Sequence, residues 1–143
     1  MKFRLIIDKN HDEEVTVYAH AKTPLTDKIE QLVSENNFEL IGYTDKEAVR
    51  LNINEICRFF VENNKVFAET AKEKYRLKLR LWQLEEKLPA GFVKINQSCL
   101  ANIGMIERFD ASLTGSLLVK FKNGNTDYVS RRQLKTVKER LGL

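Results

Sequence analysis

Residues 130–140 read SRRQLKTVKER, and here residue types and spacing point most directly to chemistry. Ser130 and Gln133 have the S-x-x-Q spacing of a capping box, which places a helix start at Ser130. Arg131 and Arg132 then occupy the first two helical positions. That is the positive end of the helix dipole, where each cation costs about 0.3–1 kcal/mol. A local rule broken twice in succession points to a ligand that reverses the cost. An anion would do so, because free backbone N–H groups and two guanidinium forks all face it. DNA phosphate is such an anion, and Arg is also the side chain that reads guanine bidentately in the major groove. Lys135 and Lys138 fall off the apolar stripe of the same helix and suit backbone phosphates. The alternative is a surface pairing of the two arginines with Asp127 or Glu139.

Two further polar clusters carry donors and acceptors at element junctions. Asn96-Gln97-Ser98 follows an apolar run, and its amides and hydroxyl either cap a helical turn or contact adenine and phosphate. Asn102 ends that turn as a cap or a contact residue. Asn63-Asn64-Lys65 joins two apolar runs, as a plain tight turn or as a loop that enters a groove. Catalytic constellations do not emerge. The sequence has no GxSxG elbow, P-loop, HExxH or GxGxxG. Glu85 and Glu86 are neighbours in a helical stretch and point in different directions, which is a poor acid/base arrangement. His11 sits in a polar turn that is either a solvated loop or a cation site, the former being the simpler reading. The expectation is a protein that is not an enzyme, with no metal, cofactor or small-molecule substrate.

These clusters need elements to hold them. Phe3–Ile7 and Val15–His20 read as strands around the polar turn 8–14. Thr23-Pro24 reads as an N-cap followed by Pro at the first helical position, with Leu25, Ile29, Leu32 and Val33 at helical spacing, so residues 24–35 form a helix. Strand-like runs follow over 38–43, 48–53, 56–62, 66–70 and 75–79. A short helix begins near residue 79 and is stopped by Pro89-Ala90-Gly91. Residues 92–96 are a strand, 97–102 a short helical turn, and 105–109 another strand. Residues 116–122 and 126–129 form a hairpin whose Asn123-Gly124 has the preferred type I′ composition. The last helix buries Leu134, Val137 and Leu141 and ends at Gly142. Strands do not alternate regularly with helices, so the fold class is α+β, predominantly antiparallel β. A small β/α extension, residues 1–50, precedes a domain over 51–143.

Charge follows the same division. Residues 1–50 carry 7 basic and 10 acidic side chains, a net of −3, and residues 51–143 carry 17 and 10, a net of +7. A basic C-terminal part fits an anionic partner, although a lopsided solvated surface would look the same. Cys57 and Cys99 lie in apolar surroundings without a CxxC spacing, as buried thiols of a reducing compartment do. The apolar run near the N-terminus is too short for a signal peptide, and no stretch approaches a membrane span, so the expected location is the cytoplasm.

Residues 92–102 (FVKINQSCLAN), followed by Ile103 and Ile106, the Asn123-Gly124 turn and Val129-Ser130-Arg131-Arg132, resemble the LytTR DNA-binding domain. Phe59-Phe60-Val61-Glu62 resembles its opening strand. The resemblance covers roughly residues 52–143. Lys94, Asn96 and Ala101 depart from the commonest family residues, and Asn96 replaces a frequent His. The resemblance implies a multi-stranded, mostly antiparallel β domain with short helices. It implies double-stranded promoter DNA as the partner, read in successive major grooves, and a homodimer on repeated sites. Base contacts then fall to Gln97, Arg132 and Asn64. Backbone contacts fall to Asn63, Lys65, Asn96, Ser98, Asn102, Ser130, Arg131, Lys135 and Lys138. The fifty preceding residues are too few for a receiver domain, so Asp8 and Asp45 are not phosphoacceptors. The same resemblance implies a stand-alone regulator with a regulatory membrane protein or kinase as partner. The rival reading is a protein-interaction module, or an inhibitor of another regulator, with little DNA binding of its own.

Overall fold

The computed structural model describes residues 1–36, 39–111 and 116–142. The chain forms two compact units, residues 1–37 and 38–143. The first contains one helix, α1 (Pro24–Asn36), and its start is chemically determined. The Thr26 N–H donates to Thr23 Oγ1 (3.3 Å) and the Thr23 N–H donates back to Thr26 Oγ1 (2.9 Å), a reciprocal cap ahead of which Pro24 loses nothing. The strands expected over 3–7 and 15–20 do not form. Alternating apolar residues supply a face but not the ladder partner that an extended segment needs. Phe3, Leu5, Ile7, Val15 and Tyr18 stay exposed.

Among the described residues of the larger unit there are ten strands and two α-helices. In order they are β1 (Leu40–Tyr43), β2 (Ala48–Leu51), β3 (Arg58–Glu62), β4 (Lys65–Glu69), β5 (Lys74–Leu77), α2 (Leu81–Lys87), β6 (Phe92–Asn96), β7 (Cys99–Asn102), β8 (Ile106–Ala111), β9 (Leu117–Phe121), β10 (Thr126–Val129) and α3 (Arg131–Leu141). Seven strands form one antiparallel sheet in the order β2-β1-β5-β4-β3-β7-β6, and three form a second, β10-β9-β8. The predominantly antiparallel α+β class expected from the sequence is found. Leu40–Leu51, read from the sequence with the N-terminal extension, supplies two strands of the large sheet.

Two apolar clusters lie against the two faces of the large sheet. Leu40, Phe59, Val66, Leu77, Phe92 and Leu100 pack with Leu84 of α2. Cys57, Val93, Ile95, Cys99 and Ala101 pack with Val119 and Phe121 of the small sheet and Val137 of α3. Strands β6 and β7 are therefore covered on both faces, which explains why FVKIN and CLAN read as nearly unbroken apolar runs. Each fully buried Phe or Leu contributes about 1.5–3 kcal/mol of transfer free energy.

Two turns differ from expectation. Residues 97–102 are not helical: Gln97-Ser98 is a tight turn and Cys99–Asn102 is β7. The type I′ geometry falls on Asn63 (φ 52°) and Asn64 (φ 61°), between the paired residues Glu62 and Lys65. At Asn123-Gly124 only Gly124 has positive φ (90°), and its N–H donates to Phe121 O (2.9 Å). That is a longer loop, with a type I turn closed by a left-handed glycine, because Phe121 pairs across to Asn125. Helix α3 ends as read, with Gly142 left-handed (φ 70°) at its C-terminus.

Candidate nucleic-acid interface

Register brings the polar clusters to one end of the larger unit. β3 runs antiparallel to β7, with Phe60 opposite Cys99, so the β3–β4 turn lies beside the β6–β7 turn. The Val61 N–H donates to Ser98 O (2.9 Å) and ties the two together. At the far side of β6, the Ser130 N–H donates to Ile95 O (2.8 Å), which places the start of α3 next to the same turn. β5 pairs with β4 through Val66 and Leu77, so the chain leaves β5 at this end and enters α2 through Lys78 and Arg80. Two tight turns and two helix starts thus share one end.

An open depression of about 590 Å³ runs between these elements and is lined by Asn64, Lys65, Lys78, Arg80, Trp82, Lys94 and Gln97 among others. Four of these side chains are cationic, against Glu85 on the same wall. Lys94 sits 3.9 Å from Glu85, and Lys78 lies 4.8 Å over the Tyr43 ring. The Arg80 N–H is spent on Gln83 Oε1 (2.9 Å), and its guanidinium is exposed. Among the described residues, Lys65, Lys78, Arg80, Arg131, Arg132, Lys135 and Lys138 form no ion pair. The pairing of Arg131 and Arg132 with Asp127 or Glu139 is absent: Asp127 is held by Arg58.

The exposed positions Asn63, Asn64, Lys65, Gln97, Ser98, Arg131, Arg132, Lys135 and Lys138 are all accessible to a ligand. Two others are not. Asn96 is 2% exposed; its Nδ2 donates to Asp127 Oδ1 (3.0 Å) and Tyr128 O (2.8 Å), and its Oδ1 accepts from the Ser98 N–H (2.9 Å). Asn102 is also buried; its Nδ2 donates to Ile56 O (2.8 Å), and its Oδ1 accepts from the Gly104 N–H (3.1 Å), capping the 3₁₀ turn at 103–105. Both amides are buried and hydrogen-bonded within the fold, unlike the exposed positions named above. Ser130 is half-buried at the N-cap position, but its hydroxyl makes no cap bond, so the S-x-x-Q box does not close.

Sequence reading missed Lys78, Arg80 and Trp82. They follow an ordinary strand, and only the β4–β5 register shows that this strand ends beside the other cations. Beneath the surface, Arg58 of β3 bridges Glu69 and Asp127. Burial lowers its pKa, but the hydrogen bonds and charge of Glu69, joined by the charge of Asp127, outweigh this and hold it above the ordinary value. Burial, followed by the Asp127 charge and a hydrogen bond to it, pushes the Cys99 thiol well up, so it remains a thiol rather than a nucleophile.

Comparison with known proteins gives a consistent result. The family model for the LytTr DNA-binding domain matches residues 46–142. An uncharacterized HTH-type transcriptional regulator of Staphylococcus aureus strain NCTC 8325 / PS 47 is 34% identical over 148 residues, covering 100% of this chain and 99% of that protein. Another, from S. aureus strain MSSA476, is 33% identical over the same span. A solved structure described as the LytTr DNA-binding domain of a putative methyl-accepting/DNA response regulator from Bacillus cereus superposes with a TM-score of 0.70 at 17% identity, covering 73% of this chain and 97% of that one. Despite the names of those relatives, no two helices of the described residues are consecutive; α2 and α3 are separated by five strands. Among the described residues no helix is long and apolar enough to cross a membrane. With 97 contiguous residues matched and two packed antiparallel sheets of the same fold, the chain belongs to the LytTr DNA-binding domain family.

Proposed function

We propose that the protein is a sequence-specific transcriptional regulator that reads duplex DNA with the end of the domain where the turns and helix starts meet. The observation that carries this reading is the cluster of exposed cations without ion-pair partners around two projecting turns and the start of α3. Gln97, Arg132 and Asn64 read base edges. Asn63, Lys65, Ser98, Arg131, Lys135 and Lys138 grip the backbone, and Lys78 and Arg80 extend that grip. Phosphate at the α3 N-terminus converts the unfavourable placement of Arg131 and Arg132 into a favourable one.

Fluorescence anisotropy against the DNA upstream of its own gene, and against a duplex it selects from a random pool, tests the reading. Binding to one of these should exceed binding to a scrambled duplex by about 10³ or more at physiological salt. Weak, equal and steeply salt-dependent binding to all three would leave only a basic surface. A homodimer on repeated sites is favoured by the N-terminal unit, where Phe3 (90%), Ile7 (87%) and Tyr18 (94%) are almost fully exposed. A monomer seen by sedimentation at micromolar concentration, with and without DNA, would exclude it.

A further inference from the structure

Arg58 touches no part of the surface just described, yet it is the hub of the polar groups behind it. Its Nε and Nη2 donate to the two oxygens of Glu69 (2.8 and 3.2 Å), and its Nη1 donates to Asp127 Oδ2 (2.7 Å). The guanidinium lies 4.3 Å over the Phe60 ring. The three charged side chains are only 14%, 10% and 14% exposed. Asp127 Oδ1 accepts from Asn96 Nδ2 and from the Tyr128 N–H. Asn96 in turn closes the Gln97-Ser98 turn through Ser98 N–H and holds Tyr128 O. Two residues beyond Tyr128 is the N-cap of α3. One carboxylate therefore braces both the turn that carries Gln97 and the strand that delivers Arg132.

A buried ion triad is weak evidence for stability, since well-packed apolar side chains often serve as well. What the triad supplies here is a fixed spacing between two reading elements that belong to different sheets. Base recognition needs side chains held within about 0.5 Å of the productive geometry. We propose that Arg58 and Asp127 are positioning residues for sequence recognition: they set discrimination between DNA sequences without touching DNA. This rests on the DNA-reading role proposed above.

Asp127→Asn tests it. The amide can present an oxygen to Arg58 or to Asn96, and its NH₂ then meets the other donor, so one brace must break. Arg58 keeps Glu69, so no charge is left unpaired. The control is Glu107→Gln on β8, which changes net charge equally at an exposed side chain. Affinities for the pool-selected duplex and for a scrambled one are measured over a salt series, alongside thermal melts. The expected result is a specific-to-scrambled ratio at least tenfold below that of E107Q. The loss should fall on the selected duplex, with the salt slope on scrambled DNA unchanged because no phosphate contact is removed. Should D127N be unfolded at the assay temperature, Arg58→Lys replaces it: a single ammonium keeps the charge but cannot fork across Glu69 and Asp127. A folded variant with the same ratio as E107Q would overturn the proposal. A native chain that fails to discriminate would overturn the DNA-reading role instead, and the proposal with it.

Discussion

Replacing Arg132 by Ala should move stability and DNA binding in opposite directions. Arg132 is the second residue of α3, exposed, and free of ion pairs among the described residues. Removing a cation from the positive end of the dipole gains about 0.3–1 kcal/mol, and Ala has the best helix propensity. For a chain of this length that raises Tm by about 1–4 °C. On the selected duplex, the loss of one bidentate base contact costs about 1–3 kcal/mol, a factor of about 5–150 in Kd. On scrambled DNA the loss should be smaller, because only a general charge disappears there. Circular-dichroism melts and anisotropy titrations of one preparation read both quantities. A lower Tm would show that Arg132 supports the fold through a contact of its own, and the argument from the broken dipole rule would collapse. Equal losses on both duplexes would reduce Arg132 to a phosphate contact.

Other perturbations separate the remaining roles. Lys78→Ala with Arg80→Ala should weaken binding to selected and scrambled DNA alike and flatten the log K against log salt slope by about 0.9 for each phosphate that is no longer neutralised; an unchanged slope would remove α2 from the interface. Gly42→Ala should destabilise by about 1–3 kcal/mol in urea titrations, because its new Cβ would stand 2.5 Å from Tyr75 Cβ and 2.7 Å from Leu51 Cδ1. Alkaline pH should also destabilise. The unfolded chain ionises its thiols around pH 8.5, while burial foremost keeps Cys57 and Cys99 protonated in the fold. The native state then binds more protons, so stability falls as pH rises through that range. Urea midpoints at about pH 7.5 and pH 10 measure the drop, and Cys99→Ala should lessen it.

What the sequence revealed, and what it hid, follows from where each residue's partner lies. The α3 span and its glycine stop were legible because helical period and the C-terminal glycine are local signals, although the S-x-x-Q box that marked the start does not close. The runs on either side of Asn63-Asn64, and the run before Gln97-Ser98, were legible as strands, but residues 97–102, the second turn together with β7, were read as helical because NQS carries cap chemistry as well as turn chemistry. Asn96 and Asn102 looked like contact residues for the same reason. Their acceptors at Asp127, Tyr128 and Ile56 lie 31–46 residues away. Arg58 offered a signal that is easy to pass over: one cation inside the apolar run ICRFFVE, with Glu69 ending the next strand. Phe3–Ile7 shows the opposite failure, a strand pattern with no ladder for its backbone to join.

The double-sided burial of β6 and β7 bears on how such a protein changes its target. Strand β7, paired on both edges and buried on both faces, should have amides that exchange with solvent among the slowest in the molecule. Between β6 and β7 stands Gln97-Ser98, whose side chains face outward and contribute nothing to either apolar cluster. If this turn contacts DNA as proposed, its side chains can be exchanged while the strands that mount them stay intact. On the proposed reading, a change of specificity would then need only a substitution or two at this turn, at little cost in folding and without rebuilding the domain.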